Sequence, residues 1–291
     1  MNRVTKAVIP AAGLGTRLAP LTRHLPKELL PVGGKPMIRH TLEAYMVSGI
    51  RRLAVIISPS KDLLRAYLSE NRLPSGLPFR KDTDFRRRLK SCEISFFVQE
   101  QPSGVAEAVS LARGFVGSDP FACIMPDCLL FAGPPFPQQL VTAYERCGTN
   151  VIGTILLRGK DLGRFGNVGL LETHPVDDRL ARITSLSPKR PAPLSASHPG
   201  TYHKGFGGGV YLPEYFKLAD RADRDDSGEL DDVPIHHAMI AENRLHGIRL
   251  EGQPFDAGHP LGLRAATHFQ GRRLRTRDRG CLSSEEAYAH P

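Results

Sequence analysis

The chain has 291 residues, 41% apolar and 24% charged, the proportions of a soluble globular protein with one large or two modest domains. Lysine and arginine outnumber aspartate and glutamate by 39 to 30, a net charge of +9. No apolar run approaches the ~20 residues of a membrane span. The opening MNRVTKAVIPAAG has neither the apolar core nor the cleavage site of a leader, so a cytoplasmic protein is expected.

The five cysteines (Cys92, Cys123, Cys128, Cys147 and Cys281) are odd in number and contain no CxxC pair. That argues against a disulfide framework or a zinc knuckle and predicts buried, reduced thiols. Much of the positive charge lies in two clusters: Arg80, Lys81, Arg86, Arg87, Arg88 and Lys90, and then Arg272, Arg273, Arg275, Arg277 and Arg279. A basic surplus suits phosphorylated small molecules or nucleic acid. Nothing interleaves the arginines as a row of stacking aromatics would, so they read as solvated faces and no nucleic acid is expected.

In chain order, residues 6–12 (KAVIPAA) read as a buried strand followed by a glycine turn. Residues 37–48 carry helical periodicity, 53–58 form a second apolar strand, and 62–70 are helical. Residues 71–92, rich in Pro, Gly and Arg, read as a surface insertion. Then come a strand at 93–98, a helix at 104–114, a strand at 121–125, a helix at 138–147 and a strand at 151–157. Strands alternating with helices predict an α/β fold with a mostly parallel sheet covered on both faces. Beyond it the strands shorten (168–172, 181–186, 207–212). Helices are expected at 213–219 and 229–242, a mobile loop at 188–206, a strand at 246–251 and a closing helix at 260–268. Residues 270–291 show little apolar pattern and read as a basic, disordered tail. One domain is expected over 1–269, in halves of about 1–150 and 151–269.

The sharpest local feature follows the first strand: Pro10-Ala11-Ala12-Gly13-Leu14-Gly15-Thr16-Arg17. Small residues there let backbone N–H groups approach phosphate oxygens, at the carboxyl end of a strand where open α/β sheets bind ligands. It is not a Walker A loop, because Thr16-Arg17 follows Gly15. It is not a dinucleotide fingerprint, because Leu18 stands where a third glycine or alanine belongs. By spacing alone an ordinary strand–helix turn stays open. Pro26-Lys27-Glu28-Leu29-Leu30-Pro31 and Gly34-Lys35-Pro36-Met37-Ile38 follow.

The whole stretch KAVIPAAGLGTRLAPLTRHLPKELLPVGGKPMI resembles the opening of the sugar-1-phosphate nucleotidyltransferases, with their AAGxGTR loop, PKExLP and KPxI. The PKE triplet and the insertion at 71–92 favour the branch that uses UTP and glucose 1-phosphate over the one that uses dTTP. The resemblance implies a three-layer sandwich around a Rossmann-like mixed sheet. It implies transfer of a nucleotidyl group onto a sugar 1-phosphate with Mg2+, in a homo-oligomer.

By resemblance, Ala11, Ala12, Gly13, Gly15 and Thr16 would hold the nucleotide, Arg17 the leaving pyrophosphate and Lys27 the reacting phosphates. Gln101 would read the base, with Gly104 letting it approach the backbone. Asp127 and Asp256 would share the metal. Gly166, Lys189 and Gly208 would meet the sugar phosphate.

The match thins in the sugar half. The family's V-x-E-K-P is here Ile183-Thr184-Ser185-Leu186-Ser187-Pro188-Lys189-Arg190-Pro191, without the glutamate, which leaves the sugar open. Gly207-Gly208-Gly209 either admits a sugar ring or forms a bulge. His198, His203, His236 and His237 read as structural or solvated.

Overall fold

The computed structural model describes residues 2–70, 72, 77, 79, 82–188, 190–191 and 200–285. It opens with β1 (Lys6–Pro10), a hairpin of β2 (Pro31–Val32) and β3 (Lys35–Pro36), then α1 (Met37–Val47), β4 (Arg52–Ile57) and α2 (Asp62–Glu70). Next come α3 (Thr83–Lys90), β5 (Glu93–Val98), α4 (Val105–Ser110), α5 (Arg113–Val116), β6 (Phe121–Ile124), β7 (Cys128–Phe131), α6 (Phe136–Cys147) and β8 (Asn150–Arg158). The second half holds β9 (Asn167–Val168), β10 (Leu170–Pro175), β11 (Leu180–Leu186), β12 (Arg190–Pro191) and β13 (Thr201–Tyr211). It closes with α7 (Glu214–Ala219), α8 (Val233–Ala241), β14 (Leu245–Arg249), β15 (Gln253–Asp256) and α9 (Pro260–Glu285).

Nine strands form one sheet in the order β10-β11-β14-β8-β13-β6-β1-β4-β5. β6, β1, β4 and β5 are parallel, with Lys6 opposite both Arg52 and Phe121. Every residue of β1 is buried, and so are five of six in β4, as central strands under helices on both faces require. Much of the parallel character expected from the sequence lies in this half, and β14 also runs parallel to β8. β13 then enters antiparallel between β6 and β8, and β10 and β11 complete the far edge antiparallel.

The two faces of the sheet carry separate cores. One gathers Ile9, Ile38, Leu42, Tyr45, Val55 and Phe85 beneath α1, α2 and α3; the other gathers Val8, Ile56, Phe121, Tyr215 and Met239 beneath α4, α7 and α8. A third cluster packs Leu18, Leu30, Val32, Leu129, Phe255 and Ala266 under the loops at the carboxyl end of β1.

Three expectations are corrected. The segment 71–92 contains α3, because the Asp82 side chain caps it by accepting from Phe85 N at 2.9 Å and because Phe85 and Leu89 are buried. The closing helix does not stop at 268 but continues to Glu285, so 270 is not where regular structure ends. Residues 201–206, assigned to a mobile loop, begin the eleven-residue β13. Cys92, Cys123, Cys128 and Cys147 are unpaired, as expected; Cys123 is buried and the other three are partly buried. Among the described residues no helix is long and apolar enough to cross a membrane.

Candidate active site

Where β1 ends, Ala11 N donates to Ile56 O at 2.8 Å and holds the chain against β4 for one more residue. The loop then turns outward. Gly13 has open space on its free side, whereas Gly15 has φ +72 and any Cβ there would lie 3.1 Å from Lys27 Cβ. Glycine is required at 15 both by the left-handed backbone and by the stem of Lys27. A single 3-10 turn, Thr16–Leu18, follows. Leu18 is buried in the third core cluster, and that anchor leaves Arg17 exposed at the mouth of the cleft.

Lys27 opens a second 3-10 turn, Lys27–Leu29, and its Nζ donates to Asp127 Oδ2 at 2.6 Å. Burial works against the Lys27 ammonium, but Asp127, with Glu28 behind it, more than offsets burial and raises its pKa above the ordinary lysine value. Burial alone would raise the Asp127 carboxyl; Lys27 first and Arg17 next turn the balance to a lowering.

Behind this pair lies a residue that the sequence reading missed. Lys61, just before α2, is 3% exposed, and its ammonium donates to Gly13 O at 2.7 Å and to Glu28 Oε2 at 2.6 Å. It ties the glycine loop to the PKE turn with one side chain. Glu28 is fully buried, and its other oxygen, Oε1, has no hydrogen-bond partner among the described residues. Burial raises the Glu28 carboxyl and lowers the Lys61 ammonium, and the attraction between the two opposes both shifts.

Asp256 reaches the same place through pairing the sequence does not advertise. β15 runs antiparallel to β7 with Asp256 opposite Cys128, next to Asp127. Asp256 accepts from Gly166 N at 2.8 Å and from Gly258 N at 3.0 Å. A Cβ on Gly258 would stand 2.5 Å from Asp127 Oδ2, 3.1 Å from Arg17 Nη2 and 3.1 Å from Asp256 Oδ1. Three charged groups therefore meet around one point, where glycine leaves them room. Gly166 does the same beside Arg17, whose guanidinium a Cβ there would strike. Burial first, then Asp127 and Asp256, pushes the nearby Cys128 thiol well above its ordinary value.

The third core cluster holds these segments together. Leu18, Leu30, Leu129 and Phe255 belong to the stretches that carry Arg17, Lys27, Asp127 and Asp256. Phe269 of α9 stacks on Phe131 at 5.6 Å and meets Phe255 at 5.3 Å, while Thr267 donates to Pro31 O.

From these charges a cleft of about 320 Å³, within the range of small-molecule sites, extends along β13 to α8. Lys204, Gly205, Gly207 and Gly208 line it, and Asp231, Asp232 and His236 close its far end. The triple glycine is a bulge: the register of β13 on β8 breaks between Gly205 and Gly209. Gly208 faces the cleft, yet it also lacks room for a side chain because a Cβ would lie 2.7 Å from Ile124 Cγ1. His236, expected to be structural or solvated, is buried on the cleft wall, stacked on Tyr211 and bonded to its hydroxyl at 3.0 Å. His237 is exposed and bonds Leu186 O.

The two residues expected at the base lie in different settings. Gln101 is exposed in a turn. Gln99, at the carboxyl end of β5, is buried, and its amide donates to Ser103 Oγ at 3.1 Å and to Gly104 O at 3.0 Å. Gly104 has φ +98, but the backbone of Leu230 fills its open side, 2.5 Å from where a Cβ would stand. Its smallness lets two loops meet closely. Lys189 and His198 lie outside the described residues.

The sequence model of the nucleotidyl transferase family matches residues 6–203. The chain belongs to that family. This nucleotidyl transferase is 28% identical over 272 residues to the UTP–glucose-1-phosphate uridylyltransferase of Bacillus subtilis (strain 168), covering 92% of this chain and 91% of that one. It is 31% identical over 261 residues to a second B. subtilis protein whose name gives the same activity provisionally, covering 88% and 92%. A solved UDP-glucose pyrophosphorylase complexed with UDP-glucose shares the fold, with a TM-score of 0.78 at 21% identity over 93% of this chain and 99% of that one.

Proposed function

We propose that this nucleotidyl transferase moves a uridylyl group from UTP to glucose 1-phosphate, giving UDP-glucose and pyrophosphate. The observation that carries the reading is the convergence of Arg17, Asp127 and Asp256 on the space beside Gly258, with Lys27 bonded to Asp127. The names of the B. subtilis relatives support the substrates.

In the reaction a phosphate oxygen of the sugar 1-phosphate forms a bond to the α-phosphorus as the bond to the bridging oxygen of pyrophosphate breaks. Such a displacement asks the protein for alignment and charge stabilisation rather than covalent chemistry. Ala11, Ala12, Gly13, Gly15 and Thr16 offer the triphosphate a loop of small residues. The Arg17 fork suits the two acceptor oxygens of a departing pyrophosphate. Lys27 is held by Asp127 at the reacting phosphates, and Gln99 is better placed than Gln101 to meet the base. Gly166 keeps room for Arg17 and orients Asp256.

Two carboxylates around one point fit a magnesium ion that takes its other ligands from water and phosphate. Held by Asp127 and Asp256, Mg2+ would neutralise charge on the phosphates as the displacement proceeds. The protein is read as soluble and cytoplasmic, and as a homo-oligomer.

The test is pyrophosphate release with Mg2+, over UTP, dTTP, ATP, CTP and GTP against several sugar 1-phosphates. Fastest release with UTP and glucose 1-phosphate is expected. Preference for another sugar or for dTTP would transfer the same chemistry to that pair, a second reading favoured by the missing glutamate at 183–191. No release from any pair would refute catalysis.

A further inference from the structure

Lys204 stands on β13 opposite Ile155 of β8 and Leu170 of β10, immediately before the register breaks. A buried lysine in the body of a sheet is uncommon. Its side chain is buried, 9% exposed. Its ammonium donates to Gly205 O at 2.8 Å and lies 5.6 Å from the centre of the Phe165 ring. It lines the same cleft as Arg17, Lys27, Asp127 and Asp256. Its charge reaches Cys128, the residue that faces Asp256 across the β7–β15 pair, as does that of Lys27.

Arg17 and Lys27 both come from the loops after β1, the side on which a triphosphate would rest. The second substrate also carries a phosphate, and it must come within bonding distance of an already anionic α-phosphate, in line with the leaving group. Its charge has to be offset from its own side of the cleft. β13 supplies that side, and a lysine fixed on a strand holds a point charge more rigidly than one on a loop. The bulge that follows, with Gly205, Gly207 and Gly208, opens the wall next to it.

We propose that Lys204 binds the 1-phosphate of the sugar substrate. It is thus a determinant of affinity for that phosphate, on the strand rather than in the segment at 183–191 where the sequence places Lys189. The assignment rests on the nucleotidyl-transfer reading above.

Steady-state kinetics of wild type, K204M, K204R and K189M with Mg2+, UTP and glucose 1-phosphate test it. K204M is expected to raise KM for glucose 1-phosphate about 10- to 100-fold, the loss of one charge-assisted contact, and to leave KM for UTP within about twofold. In the reverse direction KM for UDP-glucose rises and KM for pyrophosphate does not. K204R, which keeps the charge, recovers part of the loss, and it carries the test if K204M does not fold. Equal changes in both KM values, an unchanged KM for glucose 1-phosphate, or a larger effect in K189M would overturn the assignment. If wild type turns over no pair of substrates, the functional reading has failed first. Titration calorimetry of glucose 1-phosphate into wild type and K204R or K204M then decides Lys204 separately: equal affinity overturns it, and loss of binding in K204M alone supports it.

Discussion

Arg17 and Lys27 are ten residues apart, and the loop between β1 and β2 carries both, packed on its own Gly15 and Leu18. The opposite wall of the cleft is assembled from β7, β13, β15 and the start of α8, whose contributions at Asp127, Lys204, Asp232 and Asp256 span about half the chain. The first wall is local and its shape is written in consecutive residues. The second exists only once distant strands have paired. A nucleotide loop therefore reads directly from sequence, whereas the surface that chooses the acceptor does not.

The comparison breaks most directly at Lys61, where the local wall depends on a distant residue. Replacing Lys61 with Met leaves the Glu28 carboxyl buried without its partner and should cost about 3–5 kcal/mol of stability. Substituting Glu28→Gln as well should recover much of that. Urea unfolding decides: a K61M loss below about 1 kcal/mol would mean the pair does not hold the loop.

Lys27→Met joins the two walls in one experiment, since Lys27 and Asp127 lie on opposite sides. It should lower kcat about 10²- to 10³-fold, the scale of losing one preorganised charge at a transition state. Lys27 lowers the Asp127 carboxyl, so its ionised form persists to more acid pH than usual; without Lys27 the acid limb of the residual pH–rate profile should move to higher pH. An unmoved limb would detach Asp127 from the rate.

At the base, Gln99→Ala should erode discrimination of UTP against CTP about tenfold, and Gln101→Ala should change it less than twofold. The reverse ranking would restore the exposed glutamine as the reader. The smallest effect concerns Cys123 and Cys128, whose thiols burial pushes upward. An unfolded chain ionises them above its ordinary thiol pKa and the folded one does not. Stability is whole below that value and declines as pH rises, by about 1 kcal/mol per thiol between pH 8 and 9.5. Chemical denaturation across that range would show it, and flat stability would remove the claim.

The alternation of buried strands and helices was legible, because period and apolar run suffice for KAVIP, RLAVII and MIRHTLEAYMV. Asp127 and Asp256 were legible only through resemblance. Nothing local in QPFD announces a strand, since its partner CLLF lies 125 residues earlier. Lys61 escaped because a lysine ahead of an amphipathic helix looks like a solvated charge until burial is known. Gln99 and Gln101 differ in exposure, not in composition, so spacing could not choose between them. α3 was hidden by a run of arginines that masked the Phe85–Leu89 spacing beneath it.

The pairing of β7 with β15 also imposes an order on the making of the protein. During synthesis the chain emerges from its amino end. A nascent polypeptide of 250 residues already holds the glycine loop, Lys27 and Asp127, but its second carboxylate has not yet been added. Phe269, which packs on the strand bearing that carboxylate, comes later still. The unfinished chain carries the nucleotide loop without the complete pair of aspartates, and the two come together only as translation of the last helix begins.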